Sequence, residues 1–235
     1  MTVRLTYLAH GAPTWEMGIE IDGDGAARTW QTAGSLVGRC GRELSASERS
    51  ALEDALATAA KADARAAPDP TGQPVRPSGA TEGLLADGLP EVVLDSHEDP
   101  PPGFGDLIML LRELREGLAD SPVSAIELEV QGSPLSARLR HVGSEPVAVR
   151  AGEPLTVQVT VFDQDSAIIE RAEHTADAKG VNGAVNGGWE LPLVDDLGVT
   201  SAPAGGFLTV RVSPLEVDAL GDGVLRGVEF TWMTE

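Results

Sequence analysis

Cys40 is the only cysteine in the chain, and it sits between Gly38-Arg39 and Gly41-Arg42. Guanidinium groups on both sides would stabilise a thiolate and lower its pKa, which is what a nucleophilic cysteine requires. No cysteine-enzyme signature surrounds it, and the plainer reading is a thiol in a turn or a half-buried position. A single cysteine also excludes an intrachain disulfide. The histidines His10, His97, His141 and His174 lie far apart in the chain. None has the i, i+4 spacing that sets two metal ligands on one helical face, so they read as structural or surface residues.

Three acidic groupings have ligand chemistry. Asp95, Ser96, His97, Glu98 and Asp99 form the densest polar cluster, between an expected strand and Pro100-Pro101-Pro102. They offer carboxylates and an imidazole to a metal, or make a solvated loop. Asp22, Asp24 and Gly25 open like a calcium loop, but Ala26 and Ala33 stand where the third oxygen ligand and the closing glutamate belong, so that motif fails. Asp163 and Asp165 with Asp195 and Asp196 lie on two loops that a sandwich could bring together, and hard oxygen donors of that kind suit calcium. Acidic turns are also what a chain of net charge −20 produces anyway. There is no Gly-x-Ser-x-Gly, no phosphate-binding glycine loop and no dinucleotide fingerprint.

The charge is spread evenly, with 20 acidic and 10 basic residues through Asp120 and 17 and 7 after it. A field of that sign repels nucleic acid and anionic membrane. It suits solubility or a basic partner surface. The first residues, MTVRLTYLAHG, lack a charged segment followed by a long apolar run, and no stretch approaches a membrane span, so a cytoplasmic protein is the expectation.

The elements that would position these groups fall into two halves. Residues 3–7 and 15–21 alternate apolar with polar and predict a hairpin, and a weaker third strand is expected at 27–32. Ser45-Ala46-Ser47-Glu48 is a capping box opening a helix over 46–66. Residues 68–83 lack apolar periodicity and are expected to be a mobile loop. Glu91-Val92-Val93-Leu94 reads as a strand. A second helix spans 104–118, with Leu107, Leu111, Leu114 and Leu118 on one stripe. From Val123 the pattern is strands only, about seven or eight of them. The clearest are 147–150 and 155–162, where Leu155, Val157, Val159 and Val161 alternate with polar residues. The glycine- and asparagine-rich residues 178–188 are expected to form a flexible loop. The fold class that follows is α+β: a small N-terminal antiparallel sheet with two helices (1–120), followed by an all-β Ig-like sandwich (123–235).

VRLTYL, LSASERSALEDAL, EVVLD and LIMLLRELREGL occur in an order that resembles the layout of emfourin-type proteinase inhibitors over about half the chain. The later RHVGSEPVAV and GEPLTVQVTV are similar to phrases found in many Ig-like sandwiches, including bacterial intracellular proteinase inhibitors. The resemblance implies a domain that binds a protease, and it carries over no binding residue. Three readings follow. The first is a non-enzymatic protein-binding protein, a protease inhibitor or an adaptor in a bacterial multi-gene system. Its contacts would lie on the two long loops, at Val75 and Arg76 and at Val185, Asn186 and Trp189, since loops on rigid sheets commonly carry binding residues. The second is a metal- or ligand-binding protein or enzyme using Cys40 or the cluster from Asp95 to Asp99. The third is a structural subunit of a larger assembly.

Overall fold

The computed structural model describes residues 2–9, 15–62, 79–95, 98–151, 154–199, 202 and 204–234. The chain divides into two units. One contains Met1–Trp30 and Cys40–Ser121, and the other Gln31–Arg39 and Pro122–Glu235.

In the first unit, β1 (Val3–Ala9), β2 (Trp15–Ile21), β3 (Ala26–Gln31), β6 (Ala80–Ala86) and β7 (Val92–Asp95) hydrogen-bond in the order β3-β2-β1-β6-β7. Between β3 and β6 the chain forms β4 (Ala33–Gly34), β5 (Leu36–Glu43) and the helix α1 (Ala46–Ala59), and α2 (Gly105–Gly117) follows β7. The register sets Val3 opposite Ile21 and Ala86, and Leu5 opposite Ile19 and Leu84. Alternation therefore gives the sheet one continuous apolar face. Leu52, Ala55, Leu56 and Ala59 of α1 and Leu107, Ile108, Leu111 and Leu114 of α2 join these residues in one buried core. Each fully buried leucine there contributes roughly 1.5–3 kcal/mol. Gly103, at φ +87°, lets the start of α2 meet the end of α1, since a Cβ there would lie 2.7 Å from that of Ala62.

The second unit is built from β8 (Pro122–Gln131), β9 (Ser136–Gly143), β10 (Val147–Arg150), β11 (Leu155–Phe162) and β12 (Ile168–Ala176). It continues with β13 (Asn182–Val185), β14 (Glu190–Val194), β15 (Phe207–Val217) and β16 (Arg226–Met233). One layer runs β14-β9-β8 with residues 36–39 of β5 beside β8. The other runs β12-β11-β15-β10-β13, with β16 bonded to β15 and, in parallel, to β4. Inward side chains of both layers, among them Val37, Ile126, Leu128 and Leu139 against Val157, Val159, Val210, Val212 and Phe230, form one core, as in a β-sandwich.

The expected α+β class is overturned. Among the described residues the chain is predominantly β, with 53% strand against 14% helix, two sheets and two short helices, so it is not a small sheet with two helices followed by a separate Ig-like sandwich. The difference has local causes. The N-terminal half contains β5 and β6, whose sequences LVGRCGRE and ATEGLLA lack a run of alternating β-branched residues. It also lends β4 and the start of β5 to the second unit. Helix α1 ends at Ala59 rather than near residue 66, and residues 63–66 lie outside the described set. Of the loop expected at 68–83, residues 68–78 also lie outside it, and the last four are strand β6. The loop expected at 178–188 contains β13, paired with β10 from Val147–Val185 to Arg150–Asn182.

Candidate functional site

Cys40 lies in β5, 5% exposed, with its Sγ 3.7 Å from the carbonyl oxygen of Ala119. Burial pushes its thiol up, and Asp120 acts in the same direction. The flanking arginines do not offset this. The Arg42 guanidinium donates to both carboxylate oxygens of Glu48 at 2.9 and 2.7 Å, and Arg39 Nη2 lies 3.5 Å from Glu145. The thiol thus has the electrostatics of a core residue rather than of an activated nucleophile.

The acidic groups are largely engaged by their own turns. One carboxylate oxygen of Asp163 accepts the N–H groups of Asp165 and Ala167, each at 2.9 Å, and one of Asp196 accepts that of Gly198 at 2.9 Å. Asp165 and Asp195 are exposed. In the cluster after β7, Glu98 accepts the N–H of Asp95 at 3.2 Å, while Ser96 and His97 lie outside the described residues. Among the described residues no group of three or more His, Cys, Asp or Glu side chains is placed to hold a metal ion. Two of the histidines join strands to loops. The Nε2 of buried His141 donates to the carbonyl of Glu145 at 2.9 Å, and that of His174 to the carbonyl of Leu197 at 3.1 Å. His10 is outside the described residues.

Many remaining charges form cross-strand pairs. Glu127 faces Arg140 and Glu129 faces Arg138 across β8 and β9, and Arg138 also reaches Glu190 of β14 at 3.5 Å. These pairs fix register on a polar face. In the first unit Glu82 is buried on the core side of β6, and Arg112 of α2 holds both its oxygens, one at 3.1 Å.

Of the residues expected to touch a partner, Val75 and Arg76 lie outside the described set. Val185 and Trp189 are half-buried against the sandwich core, and Asn186 is exposed. The main chain of Trp189 is engaged on both sides: its N–H donates to the carbonyl of Asn186, and its carbonyl accepts from His141, both at 3.0 Å.

A different stretch exposes apolar side chains at the end of a sheet. β12 ends the strand order of its sheet, and its first four residues are all exposed. Two of them are Ile168 and Ile169, 46% and 55% exposed. Ile168 pairs with Phe162 across a register shift, and Phe162 stacks on Phe207 of β15 with ring centroids 4.5 Å apart. A signal for this was present in the sequence: two adjacent isoleucines cannot both face inward from a regular strand. No helix among the described residues is long and apolar enough to cross a membrane. Comparison with protein-family models, with curated proteins and with solved structures finds no match.

Proposed function

We propose that the chain is a non-enzymatic protein-binding protein, a protease inhibitor or an adaptor. The observation that carries this reading is the outer end of β12. A strand edge with free N–H and C=O groups invites strand addition, and soluble proteins normally blunt it with charge, proline or a covering element. Here the edge presents Ile168 and Ile169 beside the Phe162–Phe207 stack, and its charged residues begin only at Glu170. The rest of β12 is closer to the core: Ala176 is buried and His174 is tied to Leu197. The exposed end is thus carried on an ordered scaffold, which lowers the entropic cost of binding.

The test is affinity capture by the tagged chain from its native lysate at low salt, followed by direct titration of the dominant captured protein and, where that is a peptidase, an inhibition assay. The reading expects saturable binding that I168K/I169K weakens by more than tenfold with the fold intact. Capture that both isoleucine substitutions leave unchanged would remove the β12 edge from the argument. A well-folded protein that captures nothing would overturn the reading.

A further inference from the structure

A second surface, in the first unit, goes beyond this reading and stands on separate observations. Helix α1 is rich in alanine, and beside α2 it leaves an open groove of about 350 Å³ lined by Ala51, Asp54, Ala55, Thr58, Asp106 and Leu110. The four residues from α1 recur at i, i+3, i+4 and i+7, and the two from α2 at i and i+4, so the groove follows the α1 axis for about 10 Å and the α2 axis for about 6 Å. Its floor is apolar. Its lining contains two carboxylates, Asp54 and Asp106, and no basic residue.

From this geometry we infer that the α1–α2 groove docks a basic amphipathic helix of a partner protein. The shape selects a helix: two helices carrying small side chains accept a third at the close interaxial distance that alanine permits, and the groove offers no strand edge to pair with. The charge selects the sign. Lysine or arginine side chains flanking the apolar stripe of the incoming helix reach Asp54 and Asp106, and a chain of net charge −20 draws such a partner in while repelling a second copy of itself.

The probe is a fluorescein-labelled synthetic helix of three to four turns, with leucine and alanine on one face and lysine on its flanks, titrated with the full chain and followed by anisotropy. A peptide with glutamate in place of each lysine is the control. Saturable binding of the lysine peptide alone is expected. Ala51→Trp, at an exposed position on the groove wall, fills the groove and weakens binding at least tenfold; if that variant fails to fold, Thr58→Trp serves the same purpose. The double variant D54K/D106K is expected to lose the lysine peptide and to gain the glutamate one. Binding that survives both filling and charge reversal would be diffuse attraction to an acidic protein and would overturn the inference, as would no binding. Self-association of the free chain that Ala51→Trp abolishes would assign the groove to a second copy and overturn it too. The I168K/I169K variant is expected to bind the lysine peptide normally, so failure here and failure at β12 are read separately.

Discussion

Glu48 receives donors from both sides of the α1 N-terminus. Its carboxylate accepts the main-chain N–H of Ser45 at 2.8 Å and the Ser45 hydroxyl at 2.7 Å, while Arg42 holds both oxygens. The Ser45 hydroxyl oxygen in turn accepts the N–H of Glu48 at 3.3 Å, which closes the capping box. Arg42 first, then the Ser45 N–H and hydroxyl, lower the Glu48 carboxyl from its ordinary 4.5 to about 2. A depressed folded-state pKa adds stability at pH values above the unfolded pKa, and that stability is lost as the pH falls through the folded one. Glu48→Gln is therefore expected to be less stable than the parent by about 1 kcal/mol near neutral pH, the usual worth of a cap. The gap should close as pH falls from about 4.5 to about 2, and urea unfolding at a series of pH values measures it. A gap independent of pH would mean that the carboxylate charge is not what holds the cap. Cys40 supports a second expectation at this scale. With its thiol buried and its pKa raised, native protein at neutral pH should react with a thiol reagent at least about tenfold more slowly than urea-unfolded protein. Equally fast labelling of both would mean that β5 is open.

Among the elements, β6 and α2 share a core and are also joined by an ion pair between a 5%-exposed Glu82 side chain and a 48%-exposed Arg112 side chain. Removing Arg112 leaves a carboxylate in the core without its partner. Arg112→Ala is expected to cost about 2–3 kcal/mol, below the range for fully buried pairs because the guanidinium is half in water. Glu82→Met with Arg112→Ala should recover most of the loss, as read by denaturant unfolding; a double variant as unstable as the single one would place the cost in packing rather than in the stranded charge. Gly18 of β2 is also tightly enclosed. A Cβ there would sit 2.3 Å from the Trp30 ring and 2.8 Å from the carbonyl oxygen of Leu5, and that ring stacks under Arg4 at 4.7 Å. Gly18→Ala is expected to destabilise by about 1–3 kcal/mol through overpacking. These contacts also show where sequence reading stops. The period-two runs of β1, β2, β8, β9, β10 and β11 and the leucine stripe of α2 were readable, because each has one buried face of its own. β5, β6 and β13 were not, since glycine, alanine and charged residues make them strands only where neighbours complete their hydrogen bonds. Adjacent Ile168 and Ile169 are readable as residues that cannot share one face of a strand.

At the scale of the whole molecule, the break in composition near residue 121 suggests a β-rich fragment that ends the chain, yet the second unit also draws on residues 31–39. Those residues do specific work there. Ala33 and Gly34 pair in parallel with Glu229 and Phe230 of β16. The carbonyl of Ser35 accepts the N–H of Leu128 at 2.7 Å, and Val37 is fully buried in the sandwich core. Gly38, at φ +131°, has no room for a side chain, since a Cβ would lie 2.4 Å from the carbonyl oxygen of Ser124. A fragment beginning at Pro122 would therefore expose the edges of β8 and β16 and leave a gap in the core where Val37 sits. Filling such a gap is worth about 2 kcal/mol for one valine-sized side chain, and the lost strand pairing adds to it. The expected outcome is that residues 122–235 expressed alone lack a cooperative thermal transition and aggregate, whereas a linker-joined chain carrying residues 31–39 ahead of Pro122 regains one, with amide dispersion to match. Cooperative unfolding of the bare 122–235 fragment would show that the borrowed segment decorates a sandwich already stable without it, and the division of the chain at residue 121 would then be the physically meaningful one.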